Sequence, residues 1–556
     1  MKPLWLDEVI TALISFGQSY QAVPLDTFFP LSTLSQVFAF QESSCTQITQ
    51  TLVTESVHPP LFFCLLHRWL AWLLPWTDNW VWAMRSLPAL LGVGAIAALY
   101  RLNRLAFSPA AGLMGAALMA VSPFAIYLSQ EARHYTLPML LITLALVGLV
   151  QIQQDLLSPR LRPWVWMGWS AVNMIGLYTH YFCLLALIAQ VGALVGWLLW
   201  QRQRLSWHRG GAIALALGSI TLSYLPWLPT LIDHFGRPET DWLIPYRPDW
   251  QDRIAPLYQT LVNWLLMVIA LPVEDQPDDV VVGLGFIGLV FAIWFAWQVY
   301  QGFRQLWQQA TQRPATVLLL SFTLGVLLQF FAIVYILDKD LTVVPRYSFV
   351  YYPGICALLG ACLVQPRPPK RSPSSSPLPL PYRSIATVLL ASLLSSLLVV
   401  QGLVFQKSYY PDRVAQNMGF EPNQPLLVAV TYESLQEVAL GLSFALELRK
   451  RYSAEAVDAQ VRYAFLDRSS GYSSVWQAFR QLKQPLPLPL NLWVVASPGM
   501  RTKDYPERLR INDPATPNRK AICIVDPEEF NRIGFPYQLF RCEPRARALD
   551  SSRREA

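Results

Sequence analysis

The chain has 556 residues, of which 53% are hydrophobic and only 14% are charged. A soluble domain usually has about 25% charged residues, so this composition favours a protein whose solvent is lipid. The net charge of +7 is spread through short loops and forms no basic stripe, so a nucleic-acid partner is not expected. The seven cysteines form no CxxC pair and no metal-spaced cluster, which argues against a zinc site.

Ten apolar segments approach the length of about 20 residues needed to cross a bilayer. They lie at residues 80–100, 111–127, 136–152, 164–178, 182–200, 212–231, 280–300, 316–337, 349–364 and 385–405. Two shorter or more polar stretches, 60–76 and 256–271, are predicted to lie along the membrane surface. The expected fold class is a polytopic α-helical membrane protein with a small α/β soluble C-terminal domain.

The composition predicts four regions. Residues 1–78 form a first outer loop with interfacial helices, and 79–406 form the transmembrane domain. Within the latter, the Pro/Ser-rich basic stretch 365–383 is expected to be a disordered cytoplasmic loop. Residues 407–556 have soluble composition, with strands predicted at 426–430, 492–496 and 521–525 and a helix at 435–451. Cys523 and Cys542 could form a disulfide if this region faces an oxidising compartment.

Charge alternates between successive loops. Five loops are basic and are assigned to the cytoplasm; they contain Arg101 and Arg104, Arg160 and Arg162, Arg202 to Arg209, Arg304 and Arg313, and Arg367 to Arg383. The acidic loops between them are then periplasmic or extracellular, as is the C-terminal domain. This register places Asp7 outside although no spanning helix precedes it. We therefore expect a further helix upstream of Met1; the alternative is that Met1 to Leu6 is the remnant of one.

Two motifs near the N-terminus contain polar groups that could act in a reaction. Asp7 and Glu8 stand together in LWLDEVITAL, where the common alternative is Asp7 as a helix N-cap. His58 opens HPPLFF, where prolines at a first helical turn offer a purely structural reading.

Two later motifs lie on the same predicted face of the membrane. SPFAIYLSQEARHYTLPML contains Glu131, Arg133 and Tyr135, and its alternative reading is a solvated turn with a local ion pair. VPRYSF contains Arg346 and Tyr347, where an arginine that snorkels to the interface is the alternative.

In this order and on one face, these motifs resemble the bacterial C-type integral-membrane glycosyltransferases, in particular the family 39 and aminoarabinose-transferase-like group that includes protein O-mannosyltransferases. The resemblance covers roughly residues 4–365 and includes the segment RSLPALLG from Arg85. It implies a C-type glycosyltransferase fold and a membrane enzyme of cell-surface glycan biosynthesis. Two features depart from the family: its first membrane helix is absent, and the C-terminal domain has no assigned counterpart.

The resemblance implies a polyprenyl-phosphate-linked sugar as donor and a lipid, glycan or protein as acceptor. Asp7 would accept the acceptor's proton, a general-base contribution of about 10² to 10⁴ in rate, while Glu8 orients Asp7 or binds the acceptor. Arg346 is the first choice to bind the lipid phosphate by bidentate geometry, and Arg133 is the second.

Five other residues are expected to complete the site: Glu131, which pairs with Arg133 or contacts the sugar, and Tyr135, His58, Tyr347 and His180 of LYTHYF, which line it. No metal or other cofactor is required, although Asp7, Glu8 and Glu131 could share a divalent cation.

Two rival functions remain open. A transporter or lipid flippase would need charges within the membrane and internal repeats, and the two halves of this sequence show no repeat. A noncatalytic polysaccharide-assembly protein would keep the same fold and use its outer α/β domain to bind a partner.

Overall fold

The computed structural model describes residues 2–158, 160–202, 206–247, 249–366, 380–453, 457–481, 486–512 and 520–544. The chain divides into two compact units. One combines Met1–Thr51 with Lys407–Ala556, and the other is Leu52–Gln406. Most of the loop predicted at 365–383 lies outside the described residues, so its disorder stays a prediction.

The secondary structure is mainly helical. In chain order the helices are α1 (Leu6–Ser15), α2 (Leu34–Val37), α3 (Cys45–Glu55), α4 (Leu61–Leu73), α5 (Trp80–Ala106), α6 (Pro109–Ala120), α7 (Pro123–Ser129), α8 (Thr136–Leu157), α9 (Pro163–Leu177), α10 (Phe182–Trp200), α11 (Trp207–Tyr224), α12 (Leu228–Phe235), α13 (Trp250–Leu266), α14 (Asp278–Gln308), α15 (Arg313–Ile336), α16 (Tyr352–Leu363), α17 (Leu380–Gln401), α18 (Pro411–Met418), α19 (Leu435–Arg449), α20 (Val457–Gln460) and α21 (Tyr472–Gln481). The strands are β1 (Phe29–Pro30), β2 (Leu426–Tyr432), β3 (Val461–Asp467), β4 (Leu490–Val495), β5 (Arg508–Asn512), β6 (Lys520–Ile533) and β7 (Phe535–Glu543).

Seven helices of the described residues are long and apolar enough to cross a membrane: α5, α8, α10, α11 with α12, α14, α15 and residues 383–401 of α17. An eighth candidate is the pair α6 and α7, which is bent by 59°. The other two of the ten predicted segments are shorter than expected, because α9 has 15 residues and α16 has 12. At 1.5 Å per residue they span about 22 and 18 Å, less than the roughly 30 Å of a hydrocarbon core.

Helix α14 shows why lipid must be the solvent of the unit Leu52–Gln406. Its side chains Val282, Phe286, Ile293 and Trp297 are each more than half exposed. A continuous apolar surface on a 31-residue helix is strongly unfavourable in water, whereas lipid acyl chains accommodate it. The unit is therefore a multi-pass membrane unit.

The break between α6 and α7 has a local cause. Pro123 lacks a backbone N–H, so it cannot continue the hydrogen bonds of α6, and it instead begins α7 at the first helical position. Ser122 caps this new helix, since its Oγ accepts from the Ala125 N–H at 3.3 Å and donates to the Met267 carbonyl at 2.6 Å. Helix α7 therefore runs in a different direction from α6 and leads into the loop that precedes α8.

The other unit contains a seven-stranded sheet in the order β1-β3-β2-β4-β7-β6-β5. The three strands β3, β2 and β4 are parallel, and the remaining pairs are antiparallel. Strand β2 has the sequence LLVAVTY and is buried at its first six positions, as expected for a parallel strand covered on both faces. The predicted fold class, a polytopic helical protein with an α/β C-terminal domain, is confirmed.

The N-terminal residues belong to this sheet unit rather than to the membrane unit. Helix α1 packs on α19, and the Leu6 N–H donates to the Tyr409 hydroxyl at 2.6 Å. Strand β1 pairs with β3, and the Asp26 carboxylate accepts from the Asp467 N–H at 3.0 Å. The boundary between the units therefore does not lie at residue 78, where the sequence predicted a division. Strand β1 joins the sheet because it covers the edge of β3, which would otherwise be open.

The antiparallel half of the sheet contains a disulfide. Cys523 of β6 lies directly opposite Cys542 of β7, and the two are covalently bonded. The pairing that the sequence suggested is thus present. Cys183, Cys356 and Cys362 of the membrane unit are buried free thiols.

Candidate functional site

A cavity of about 220 Å³ lies within the unit Leu52–Gln406. Its polar lining includes His58, His134, Tyr135, His180 and Tyr347. Its apolar lining comes mainly from the ends of spanning helices and the loops that follow them: Phe182, Leu231, Phe235, Leu243, Ile333, Leu337 and Leu341. The cavity is therefore amphipathic, with polar groups gathered from several loops that the sequence motifs had singled out.

The loop between α7 and α8 supplies a buried group of charges. Glu131 is 8% exposed and Arg133 is 2% exposed, so the alternative reading of this motif as a solvated turn is wrong. The Arg133 N–H donates to the Glu131 carbonyl at 2.7 Å, which makes the turn tight. The Arg133 guanidinium carbon lies 5.7 Å from the centre of the Tyr135 ring.

Arg346 reaches the same ring from a distant part of the chain. It lies in the 3-10 helix Pro345–Val350, and its guanidinium carbon is 5.9 Å from the Tyr135 ring centre and 5.8 Å from that of Tyr347. Tyr135 is thus within 6 Å of two guanidinium groups, both in the range of a cation–π contact. The structure brings together Arg133, Tyr135, Arg346 and Tyr347.

His58 is held by two neighbours. Arg133 Nη2 lies 3.4 Å from His58 Nε2, and Ser56 Oγ lies 2.8 Å from His58 Nδ1. Because a guanidinium can only donate, the Nε2 atom must accept, and Nδ1 then carries the hydrogen toward Ser56. The Leu61 N–H donates to the Tyr178 carbonyl at 3.0 Å and fixes the start of α4 beside the loop that precedes α10.

Three histidines form a cluster in the cavity lining. The His134 ring centre is 4.8 Å from that of His58 and 4.8 Å from that of His180. His180 Nδ1 accepts from the Phe182 N–H at 3.0 Å, so its hydrogen is on Nε2. His134 is 1% exposed, and neither of its ring nitrogens has a hydrogen-bond partner among the described residues.

These three histidines are neutral near pH 7. Burial is the largest cause that lowers the pKa of His58, His134 and His180 well below the usual 6.5, and the Arg133 charge lowers each of the three pKa values further. Arg346 also lowers the pKa of His58 and His134. Each ring therefore offers one N–H donor and one acceptor nitrogen.

Sequence reasoning missed four polar residues of the lining: His134, Tyr181, His234 and Lys339. His134 stands between Arg133 and Tyr135 in a motif that was recognised, and its adjacency to them was the available signal. His234 ends α12, and its Nδ1 lies 2.6 Å from the Tyr181 hydroxyl. Burial raises the pKa of Tyr181 to about 12, so the phenol stays protonated. No periodic pattern of the sequence points to His234.

Asp7 and Glu8 lie in the first turn of α1, within the sheet unit. The N-cap of α1 is Trp5, so the alternative that made Asp7 the N-cap is wrong. Asp7 is half-buried and Glu8 is fully buried. These carboxylates and the cavity residues belong to different compact units. That Asp7 and Arg346 act at one site, as their assigned roles require, stays a prediction.

The sequence left open a divalent cation shared by Asp7, Glu8 and Glu131. In the part of the chain that the structure describes, no group of three or more His, Cys, Asp or Glu side chains is placed to hold a metal ion. The polar groups of the cavity are instead suited to hydrogen bonding and to binding an anion.

No protein-family model and no curated protein sequence matches the chain. Among solved structures, ArnT from Cupriavidus metallidurans in the apo state is similar at 12% identity with a TM-score of 0.48, covering 86% of this chain and 87% of that one. The same protein bound to undecaprenyl phosphate gives 11% identity and a TM-score of 0.47, with the same coverage. The archaeal oligosaccharyltransferase AglB from Archaeoglobus fulgidus, in complex with an inhibitory peptide and a dolichol-phosphate, is similar at 12% identity with a TM-score of 0.42. This match covers 79% of this chain and 61% of that one.

These solved proteins are glycosyltransferases of the C type, the class that the sequence motifs resemble. Similarity at this level bears on neither the substrate nor the reaction of this chain, which must be argued from its own residues.

Proposed function

We propose that this protein is a membrane glycosyltransferase that moves a sugar from a polyprenyl-phosphate-linked donor to an acceptor at the outer face of the cytoplasmic membrane. The observation that carries the proposal is the amphipathic cavity of the membrane unit. Arg133 and Arg346 flank Tyr135, which belongs to its polar lining, and apolar side chains from the ends of spanning helices form much of the remaining lining. An anionic head group on a long apolar chain matches both parts.

The arginines suit the charge that develops in the reaction. The phosphodiester of the donor has one negative charge. When the bond between the anomeric carbon and the phosphate oxygen breaks, its electron pair stays on that oxygen, and the carrier leaves as a phosphate monoester with a second negative charge. A fixed guanidinium in a poorly solvated site stabilises this leaving group. Arg346 is assigned this role first, and Arg133 second.

The apolar lining suits the polyprenyl chain. Ile333 and Leu337 come from the end of α15 and the residue beyond it, whereas Leu231 and Phe235 come from α12. Outside the cavity, Leu328 and Ile336 of α15 are more than 70% exposed and face lipid. A polyprenyl chain can therefore pass from the cavity toward the acyl chains of the bilayer and remain in apolar surroundings.

The remaining step is proton removal from the acceptor. As the acceptor oxygen or nitrogen forms its bond to the anomeric carbon, its proton must pass to a base, and a positioned carboxylate serves this purpose. Asp7 is assigned this role, with Glu8 as the group that orients it or binds the acceptor. Glu131, buried beside Arg133, is assigned to the sugar or to the arginine.

An extracytoplasmic position of the sheet unit is supported by its chemistry. The Cys523–Cys542 disulfide is typical of an oxidising compartment and unusual in the cytosol. The basic residues Arg101, Arg104 and Arg313 lie at helix ends that the positive-inside rule assigns to the cytoplasm.

The test is binding of undecaprenyl phosphate to the purified full-length protein in detergent. Arg346→Ala should weaken binding by tenfold or more, since a hydrogen-bonded charge contact contributes about 1.5–3 kcal/mol. Arg313→Ala is the matched control, because Arg313 is also half-buried and lies over two aromatic rings, Trp200 and Trp307, at the other end of α15. Equal affinity of wild type and Arg346→Ala would refute the assignment of the cavity to the carrier.

A further inference from the structure

We infer that His134 binds the phosphate of the lipid-linked ligand through a ring N–H, beside Arg133 and Arg346. The inference rests on the proposed function and adds to it a binding residue to which the sequence motifs assigned no role. It would make the histidine cluster part of the phosphate site rather than part of the apolar packing.

The first observation is that His134 is buried, borders the cavity and has no hydrogen-bond partner among the described residues. The residue is 1% exposed and lines the cavity, and among the described residues no group hydrogen-bonds to its Nδ1 or Nε2. Buried polar groups nearly always have a hydrogen-bond partner in a folded protein. A ligand that enters the cavity is the partner that this ring lacks.

The two neighbouring histidines are placed differently. His58 uses both ring nitrogens, one with Arg133 and one with Ser56. His180 uses Nδ1 to accept from the Phe182 N–H. Neither ring forms a hydrogen bond with a nitrogen of His134, although both ring centres lie 4.8 Å from the His134 ring centre. His134 is thus packed between two rings, while neither of its nitrogens is hydrogen-bonded to a described residue.

The surrounding charges favour a phosphate oxygen as the acceptor of the His134 N–H. Arg133 precedes His134 in the chain, and its guanidinium lies near the Tyr135 ring, as does that of Arg346. The His134 ring centre is 4.5 Å from that of Tyr135. An anion bound by the two arginines would therefore lie next to the His134 ring. A hydrogen bond to a charged oxygen is stronger than one between neutral groups.

The experiment separates the hydrogen bond from the shape of the ring. Native mass spectrometry of the full-length protein in detergent would measure the affinity for two probes, undecaprenyl phosphate and undecaprenol, which lacks the phosphate. His134→Phe keeps an aromatic ring without a donor, and His134→Gln keeps an N–H. His67→Phe is the control, because His67 is buried on α4 and does not line the cavity.

We expect His134→Phe to weaken binding of undecaprenyl phosphate by about tenfold or more, and His134→Gln to restore it to within about threefold. Binding of undecaprenol should be the same in wild type and all three variants. Equal losses for both probes in His134→Phe would mean a structural role and overturn the inference. Unchanged phosphate binding in His134→Phe, with a loss in Arg346→Ala, would overturn this inference alone; no loss in either variant would overturn the proposed function too.

Discussion

Asp7 and Arg346 have opposite charges and are assigned to different events of the same reaction. Asp7→Asn removes a proton acceptor and preserves shape, so sugar transfer should fall by about 10² to 10⁴ while the affinity for undecaprenyl phosphate stays within about twofold. Arg346→Ala should lower both. Transfer and carrier binding would be measured on the same purified preparations. An equal loss of carrier binding in the two variants would refute this division of roles.

The histidine cluster predicts that acid destabilises the membrane unit. The pKa values of His58, His134 and His180 are lowered in the fold, mainly by burial, whereas the unfolded chain titrates near 6.5. As the pH falls below about 6.5, the unfolded state binds more protons than the folded state, so the free energy of unfolding decreases. Above that pH the contribution is fully present.

The measurement is the thermal midpoint in detergent at pH 7.5 and pH 5.5. The midpoint of the wild type should fall on acidification, and His134→Asn should reduce that fall because it removes one of the groups that gains a proton on unfolding. His208→Asn, at an exposed position of α11, should behave as the wild type. An identical fall in His134→Asn and wild type would contradict this account of the cluster.

The convergence of the cavity residues could be predicted in part. His58, Tyr135, His180 and Tyr347 precede or follow apolar segments, and the alternation of charge placed all of these positions on one face. His134 gave no separate signal, because a single histidine between two recognised residues shows no period and no spacing. The role inferred for it rests on ring nitrogens that have no hydrogen-bond partner among the described residues, which only the folded arrangement reveals.

Helix contacts inside the membrane unit depend on close approach at glycine. A Cβ on Gly360 of α16 would lie 2.8 Å from the Gly115 Cα and 2.9 Å from Asn103 Nδ2, while that amide donates to the carbonyls of Ala111 and Ala357 at 3.1 Å. Gly360→Ala should therefore force the helices apart and cost about 1–3 kcal/mol, which a lower thermal midpoint would show.

Gly196→Ala is the matched control for that substitution. Gly196 lies within α10, and a Cβ there would meet nothing within 4 Å. Alanine has a higher helix propensity than glycine, so the thermal midpoint of this variant should stay equal or rise. Similar midpoints for the Gly360 and Gly196 variants would show that the approach of α16 to α6 does not limit stability.

The elements themselves were largely predictable, since the length of an apolar run indicates a spanning helix without knowledge of its neighbours. What the apolar runs could not show is where a helix breaks inside one. The predicted segment 111–127 contains Ser122 and Pro123 and is divided there into α6 and α7. The predicted segment 349–364 begins in a 3-10 helix, and only 12 residues of it form α16.

At the scale of the whole molecule, the least predictable feature is the membership of the N-terminal residues in the sheet unit. The contacts involved join residues about 400 positions apart, such as Leu6 with Tyr409 and Asp26 with Asp467. A two-residue strand and a single capping carboxylate have no signature in composition or periodicity. The pairing of β1 with β3 follows from the need to cover an exposed edge, which becomes visible only when the sheet is assembled.

The membrane topology follows from which loops share the cavity. Its lining takes residues from the loop before α8, the loop after α9, the end of α12 and the segment after α15, so all four lie on one face. The helices that connect one of these four segments to the next must cross the membrane away from that face and then cross back to it. We therefore predict that α9 brings the chain back across the membrane although it has only 15 residues. Local thinning of the bilayer, or flanking residues that reach the interface, would accommodate the mismatch.

Reporter fusions test this topology directly. Fusions after Arg104, Arg204 and Lys370 should report the cytoplasm, and fusions after Asp241 and Asp513 should report the outside. The result at Asp241 is decisive for α9, because a helix that failed to cross would exchange the sides of Arg204 and Asp241 while leaving Arg104 unchanged. An internal report at Asp513 would place the disulfide-bonded sheet unit, and the carboxylates of α1 with it, in a reducing compartment, and would overturn the proposed extracytoplasmic reaction.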